Sequence, residues 1–245
     1  MSDEKGPATS AGLFVSEMAD TLDPTDLDAL IERVDPDRWL SSRFIANPRA
    51  RADVVTLYAY DHELARAPRA ASNPLIAEIR LAWWREVLEE IYGGLPVRHH
   101  PTAQSLAELV GRRDLPLAPL EAMIDGRYRL LDPEPLTQDE TLALGRDTAG
   151  AASQVAALIL DPGTDHAAAA VAGSAWGVAW LIKEGRGKGV TLDLSRARSA
   201  ARRLSVAAFP AVLHSALASR RARGGTISDL ESRARLTWSS ATGRI

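Results

Sequence analysis

Cysteine is absent from all 245 residues. That excludes a disulfide framework, a thiolate nucleophile and a thiolate metal site, and it fits a reducing compartment. A large net charge is missing too: 29 Lys and Arg against 32 Asp and Glu leave −3, so no global attraction to nucleic acid is expected. No apolar run reaches the roughly 18–20 residues that span a bilayer. The opening Met1-Ser2-Asp3-Glu4-Lys5-Gly6 is polar and mixed in charge, without the apolar core and small-residue cleavage site of a signal peptide. Together these absences give the expectation of a cytoplasmic protein, with peripheral contact at the inner membrane left open. No segment alternates convincingly as a strand, and no repeat recurs.

What the chain does have is helical periodicity broken by Pro and Gly. Residues 1–22 read as a mostly flexible leader, with a short irregular helix over Leu13–Leu22. Residues 23–245 read as one all-α domain. Helices are expected over Leu27–Val34, Asp37–Ile45, from Asn47-Pro48 through Leu64, over Ala103–Arg112 and over Pro116–Leu131. Thr137 and Glu140 have the spacing of a capping box opening Gln138–Leu160. The Ala-rich Thr164–Glu184 has few charges before Lys183 and reads as a buried central helix. A basic helix over Leu194–Leu204, then Phe209–Ser219 and Thr226–Ser239, complete the order.

Leu57–Gly94 organises this arrangement. Leu57, Tyr58, Tyr60, Leu64 and Ala65 share helical spacing until Pro68 interrupts. Asn73 is a natural N-cap with Pro74 at the first helical position. Leu75, Ile79, Ala82, Trp83, Val87 and Ile91 make an apolar stripe, with one Trp83-Trp84 ring in the core and one at its edge, and Gly93-Gly94 stops the helix. Tyr58-Ala59-Tyr60, Glu63-Leu64-Ala65-Arg66, Glu78 through Arg85 and Ile91-Tyr92 resemble the squalene/phytoene synthases. The likeness is closest to a divergent branch that includes a mitochondrial complex I assembly factor, and it runs from about Asp35 to the C-terminus.

The resemblance implies an isoprenoid synthase-like helical bundle. In that family two Asp-rich motifs on facing helices hold magnesium and diphosphate, hard ions that want oxygen ligands. Here Ala65, Arg66 and Arg69 fall at the first motif's aspartate positions. Ala179 and Lys183 fall at the second motif's Asn-x-x-x-Asp, and its later aspartate falls near Gly187. An arginine cannot ligate magnesium. Other pocket candidates are Arg43, Tyr58, His62 at a basic diphosphate-touching position, Asp125 and Arg127, Asp147 facing Arg66 or Lys183, and Trp176, which with Trp180 fills tunnel space. The short Lys188–Asp193 link removes tunnel wall.

Each remaining signal carries two readings. Asp61 and Glu63, two apart, point in different directions and do not replace the lost ligands. Glu86, Glu89 and Glu90 make either a solvated face with Arg85 or a metal site. Asp125 and Arg127 either line the pocket or pair at the surface. His99-His100 is a loop pair or an unassisted metal site. Gly185-x-Gly187-x-Gly189 follows no strand and carries no nucleotide fingerprint. Leu194–Leu204, with Arg196, Arg198, Arg202 and Arg203, could meet an anionic membrane surface or an acidic partner.

These observations give the expectation of a non-catalytic assembly factor without cofactor or metal, whose partner is a protein such as a respiratory-complex subunit. Against it stand an active, magnesium-dependent prenyltransferase and a magnesium-independent binder of prenyl diphosphate or lipid.

Overall fold

The computed structural model describes residues 26–69, 73–187, 189–224 and 227–245. The expected leader and its helix over Leu13–Leu22 lie outside them. Every regular element among the described residues is helical.

Acid or amide caps start the first four helices, and proline follows the cap in three of them. Asp26 accepts from two backbone N–H groups to open α1 (Leu27–Val34), and Asp35 caps α2 (Pro36–Ser42). Asn47 accepts from Arg49 and Ala50 at the head of α3 (Pro48–Arg69), and Asn73 opens α4 (Pro74–Tyr92). Pro36, Pro48 and Pro74 each occupy the position where a missing donor costs nothing. Pro68 falls in the last turn of α3. Beyond α4 the chain reverses at Gly94, which takes a left-handed φ of 67° that only glycine adopts freely.

The second half continues with α5 (Pro101–Arg113), α6 (Leu117–Tyr128) and a 3-10 turn at Arg129–Leu131. Thr137 and Glu140 form the expected capping box on α7 (Gln138–Gly145). The single helix expected over Gln138–Leu160 is instead divided by a π-helical segment, Arg146–Gly150, before α8 (Ala151–Leu160). Close packing against α9 (His166–Lys183) accompanies the division. A Cβ at Gly145 would meet Val178 at 2.6 Å, one at Gly150 the Ala170 carbonyl at 2.9 Å, and one at Gly177 the Ala149 Cβ at 2.7 Å. Alanine and glycine let α9 sit at the centre, buried through Ala168, Ala172, Gly173, Ala175 and Ala179.

The C-terminal third departs most from expectation. The basic helix is only α10 (Ser195–Ala201), and its Ala197, Ala200 and Ala201 face inward. Phe209–Ser219 is not one helix. It is two 3-10 segments, Phe209–Ala211 and Leu213–Leu217, separated at Val212 (φ −125°), followed by α11 (Ala218–Ala222). Pro210, which lacks a donor, falls in the first of them. Helix α12 (Asp229–Thr242) closes the described chain.

Helix α4 corrects a second expectation. Its buried face is Ala77, Leu81, Trp84, Val87 and Leu88, whereas Leu75 and Ile79 are 58% and 59% exposed. The helix carries two apolar arcs, and only one is packed. Trp84 is buried against Tyr60 and Trp83 sits at the edge beside His100, as the double tryptophan implied. Among the described residues the main core runs through Ile31, Leu57, Leu64, Leu81, Leu106, Met123, Val155 and Leu213, and a smaller cluster gathers Leu136, Leu144 and Leu181. No helix among the described residues is long and apolar enough to cross a membrane.

Candidate functional site

Helices α2, α3, α6 and α9, together with the π segment, enclose a cleft of about 130 Å³. Its floor is a buried charge cluster. Arg38, 2% exposed, donates through Nη1 to Asp61 Oδ2 at 2.5 Å, and Arg127 donates to Asp61 Oδ1 at 2.7 Å. Asp35 lies 3.6 Å from the same Arg38 guanidinium while its other oxygen caps α2. The Arg38 guanidinium also stacks 4.3 Å from the Trp176 ring centre and 5.0 Å from that of Tyr58, contacts that strengthen away from water.

Burial and pairing compete at each acid. Burial raises the Asp61 carboxyl, but Arg127 and Arg38 outweigh it and hold the group well below the usual carboxylate range. Asp35 has less compensation: burial lifts it to about 6 against the pull of Arg38. Burial pushes the Tyr58 phenol up and the His62 imidazole down. It pushes His214 far below its ordinary value, with Arg38 adding to the effect. His214 packs edge-on against Trp176 and Tyr58. Among the described residues, neither of its ring nitrogens, nor Arg38 Nε and Nη2, Tyr58 OH or Trp180 Nε1, has a hydrogen-bond partner.

The C-terminal third is tied to the cleft through Asp37. Arg221 donates to it at 2.8 and 2.5 Å, and Trp176 Nε1 at 3.3 Å. At the mouth, Arg69 at the end of α3 pairs with Glu184 just after α9, so a salt bridge joins the two helix ends. Every carboxylate lining the cleft, namely Asp35, Asp61 and Glu184, has a guanidinium within ion-pair distance. Among the described residues, no group of three or more His, Cys, Asp or Glu side chains is placed to share a metal ion.

Of the residues singled out from sequence, Asp61, His62, Ala65, Arg69, Arg127, Trp176 and Trp180 line this cleft, and Tyr58 is buried beneath it under Arg38. The others lie elsewhere. Arg66 pairs with Glu63 and borders a separate groove beside Trp83. Arg43 is exposed over Trp39. Asp125 is a surface partner of Arg85. Ala179 is core. Lys183 lies 4.0 Å from the Trp180 ring centre. Asp147 does not meet Arg66 or Lys183. It lies in the π segment and pairs with its neighbour Arg146 at 2.8 Å, not with the partners that the family resemblance implied. Glu86 and Glu90 are bridged by Arg98 at 2.8 and 2.5 Å, while Arg85 is engaged by Asp125.

Sequence reasoning missed Arg38, Asp35, Asp37, Arg221 and His214. The one available signal was the dense Asp35-Pro36-Asp37-Arg38 start of α2. Asp61 was noticed only as a failed metal ligand. Its partners stand 23 and 66 residues away, beyond any local spacing rule.

Comparison with known proteins agrees with this architecture. A dehydrosqualene synthase crystal structure superposes with a TM-score of 0.64 at 13% identity, covering 88% of this chain and 94% of that one. Squalene synthase HpnC from Alicyclobacillus acidocaldarius gives 0.55 at 19% identity, covering 89% and 92%. At these identities the likeness is one of fold. The human NADH dehydrogenase (ubiquinone) complex I assembly factor 6 is 30% identical over 103 residues, 42% of this chain. Its Dictyostelium discoideum homologue is 24% identical over 107 residues, 44% of this chain. The matched stretch spans 30% of the length of each of those two relatives. The squalene/phytoene synthase family model matches residues 31–184, the segment that builds the cleft from α1 to Glu184, and the chain belongs to that family.

Proposed function

We propose that this chain is a non-catalytic member of the family that acts as an assembly factor for a respiratory membrane complex, with a subunit of that complex as its protein partner. The observation that carries this reading is the neutralisation of the cleft acids by arginine. Magnesium needs several oxygen ligands in near-octahedral geometry. Asp61 is shared by Arg38 and Arg127, Asp35 lies against Arg38, and Glu184 is joined to Arg69. The residues at the family's motif positions, Ala65, Arg66, Arg69, Ala179 and Lys183, add no carboxylate. This donor set does not fit magnesium. The size of the cleft supports the same reading: about 130 Å³ is well below the roughly 300–1,000 Å³ of ordinary ligand sites, and Trp176 and Trp180 occupy its wall.

The likeness to two complex I assembly factors supports this choice of partner. In a deletion strain of the native host, native-gel analysis should show less assembled NADH dehydrogenase complex, restored by the full chain. Unchanged complex together with a missing isoprenoid product would sink the reading.

One observation favours a second reading, a magnesium-independent anion binder. Arg38 lines the cleft with Nε and Nη2 unpartnered, donors that would suit a phosphate or carboxylate. Farnesyl diphosphate binding that is unchanged by EDTA and lost in Arg38→Met would support it.

A further inference from the structure

From Leu194 to Ser228 the chain contains seven arginines, Arg196, Arg198, Arg202, Arg203, Arg220, Arg221 and Arg223, and no acid, although the whole chain carries −3. The fold gives part of this charge a concave form. Helices α10 and α12 and the residues after α12 border a groove of about 650 Å³. Arg198, Arg202, Arg235 and Arg244 line it against one acid, Glu231. That acid is already held by Arg220 and Arg235 at 3.1 and 2.9 Å. Trp238, 58% exposed, forms one edge, and Leu194 and Ile245 add partly buried apolar surface.

We infer that this groove is a docking site for an acidic, extended segment of a partner protein, with one apolar side chain of that segment packed on Trp238. Arg and Trp are the residue types that dominate binding hot spots. Arg198 donates to the Ile245 main-chain oxygen at 3.1 Å and Arg235 is held by Glu231, which leaves Arg202 and Arg244 without an acid among the described residues, a charge that complements a run of Asp or Glu and steers its approach. Shape decides against a bilayer. A lipid surface is flat and does not fill a concave groove. A basic helix that docks on lipid must also offer an apolar face, and the Ala197, Ala200 and Ala201 face of α10 is spent on the core. The inference rests on the proposed assembly role only in taking the partner to be a protein.

The test is fluorescence anisotropy of the full chain with a labelled twelve-residue Glu/Gly peptide carrying a central Leu, beside its Gln counterpart and vesicles containing phosphatidylglycerol. The acidic peptide should bind in the micromolar range at low salt and the Gln peptide at least tenfold more weakly. Arg202→Glu with Arg244→Glu should weaken binding at least tenfold. Arg33→Glu with Arg49→Glu, the same charge change on exposed residues elsewhere, should change it less than twofold. Trp238→Ala should weaken the Leu-containing peptide about threefold and leave a Leu-free version unchanged. These side chains are exposed, so circular dichroism and the melting temperature should stay at wild-type values. No binding of the acidic peptide, equal losses in both double variants, or vesicle binding through Arg202 and Arg244 without peptide binding would each overturn the inference. Normal complex assembly in the deletion strain would sink the assembly role while leaving peptide binding in place, so the two failures are distinguishable.

Discussion

Asp61 shows how one residue reverses the meaning of a site. A carboxylate at the floor of the cleft looks like a metal ligand until its partners are counted, and both oxygens are taken by Arg38 and Arg127. Breaking a buried ion cluster from one side leaves uncompensated charge. Asp61→Asn should therefore destabilise the fold by about 3–5 kcal/mol, read by urea unfolding at pH 7, and a loss under about 1 kcal/mol would show that the arginines find solvent. Asp35 makes a prediction of opposite pH sense. Burial raises its folded pKa from 3.8 to about 6, so the folded state holds the proton more tightly. The stability this contributes is complete below about pH 4 and is lost as pH rises through 6. Asn in its place still caps α2 but does not titrate. Relative to Asp35→Asn, the wild type should lose roughly 2 kcal/mol between pH 4 and 7. A constant difference across that range would contradict the burial argument. Asp61 acts the other way, since its depressed pKa supplies stability present above about pH 4 and lost on further acidification.

Among the elements, the helix starts were the most legible part of the chain. Asn73-Pro74 and the Thr137–Glu140 box stand where local chemistry placed them, because capping depends on residues within one turn. Burial was less legible. The α4 sequence is apolar on two sides, and pattern alone does not tell which side meets the core. Leu81→Ala should cost about 2–5 kcal/mol, whereas Leu75→Glu with Ile79→Glu should shift stability by about 0.5 kcal/mol or less. Thermal melts of both variants check this, and a large loss in the second would mean that the outer arc is covered. The π segment was not legible at all, because it accompanies the close approach of α9. Gly177→Ala, whose Cβ would lie 2.7 Å from Ala149, should cost about 1–3 kcal/mol by overpacking, and chemical unfolding reads it directly.

Over the whole molecule, the all-helical fold and the family were readable because helix periodicity and the Leu57–Gly94 stretch are continuous in sequence. The cleft was readable only in part. His62, Ala65, Arg69, Arg127 and Trp176 were found through the family motif, while Arg38, Asp37 and Arg221 were not, since the pairs they make join α2 to residues far along the chain. The C-terminal arginines were visible as charge but not as a groove, which exists only once α10 and α12 are packed. An arginine-held cleft of this kind should not perform the chemistry that gives the family its name. Pyrophosphate release from farnesyl or geranylgeranyl diphosphate by the purified chain, with and without magnesium, tests this most directly. Release should equal the protein-free blank under both conditions. Magnesium-dependent release that disappears in Asp61→Asn under conditions where the variant is folded would contradict it.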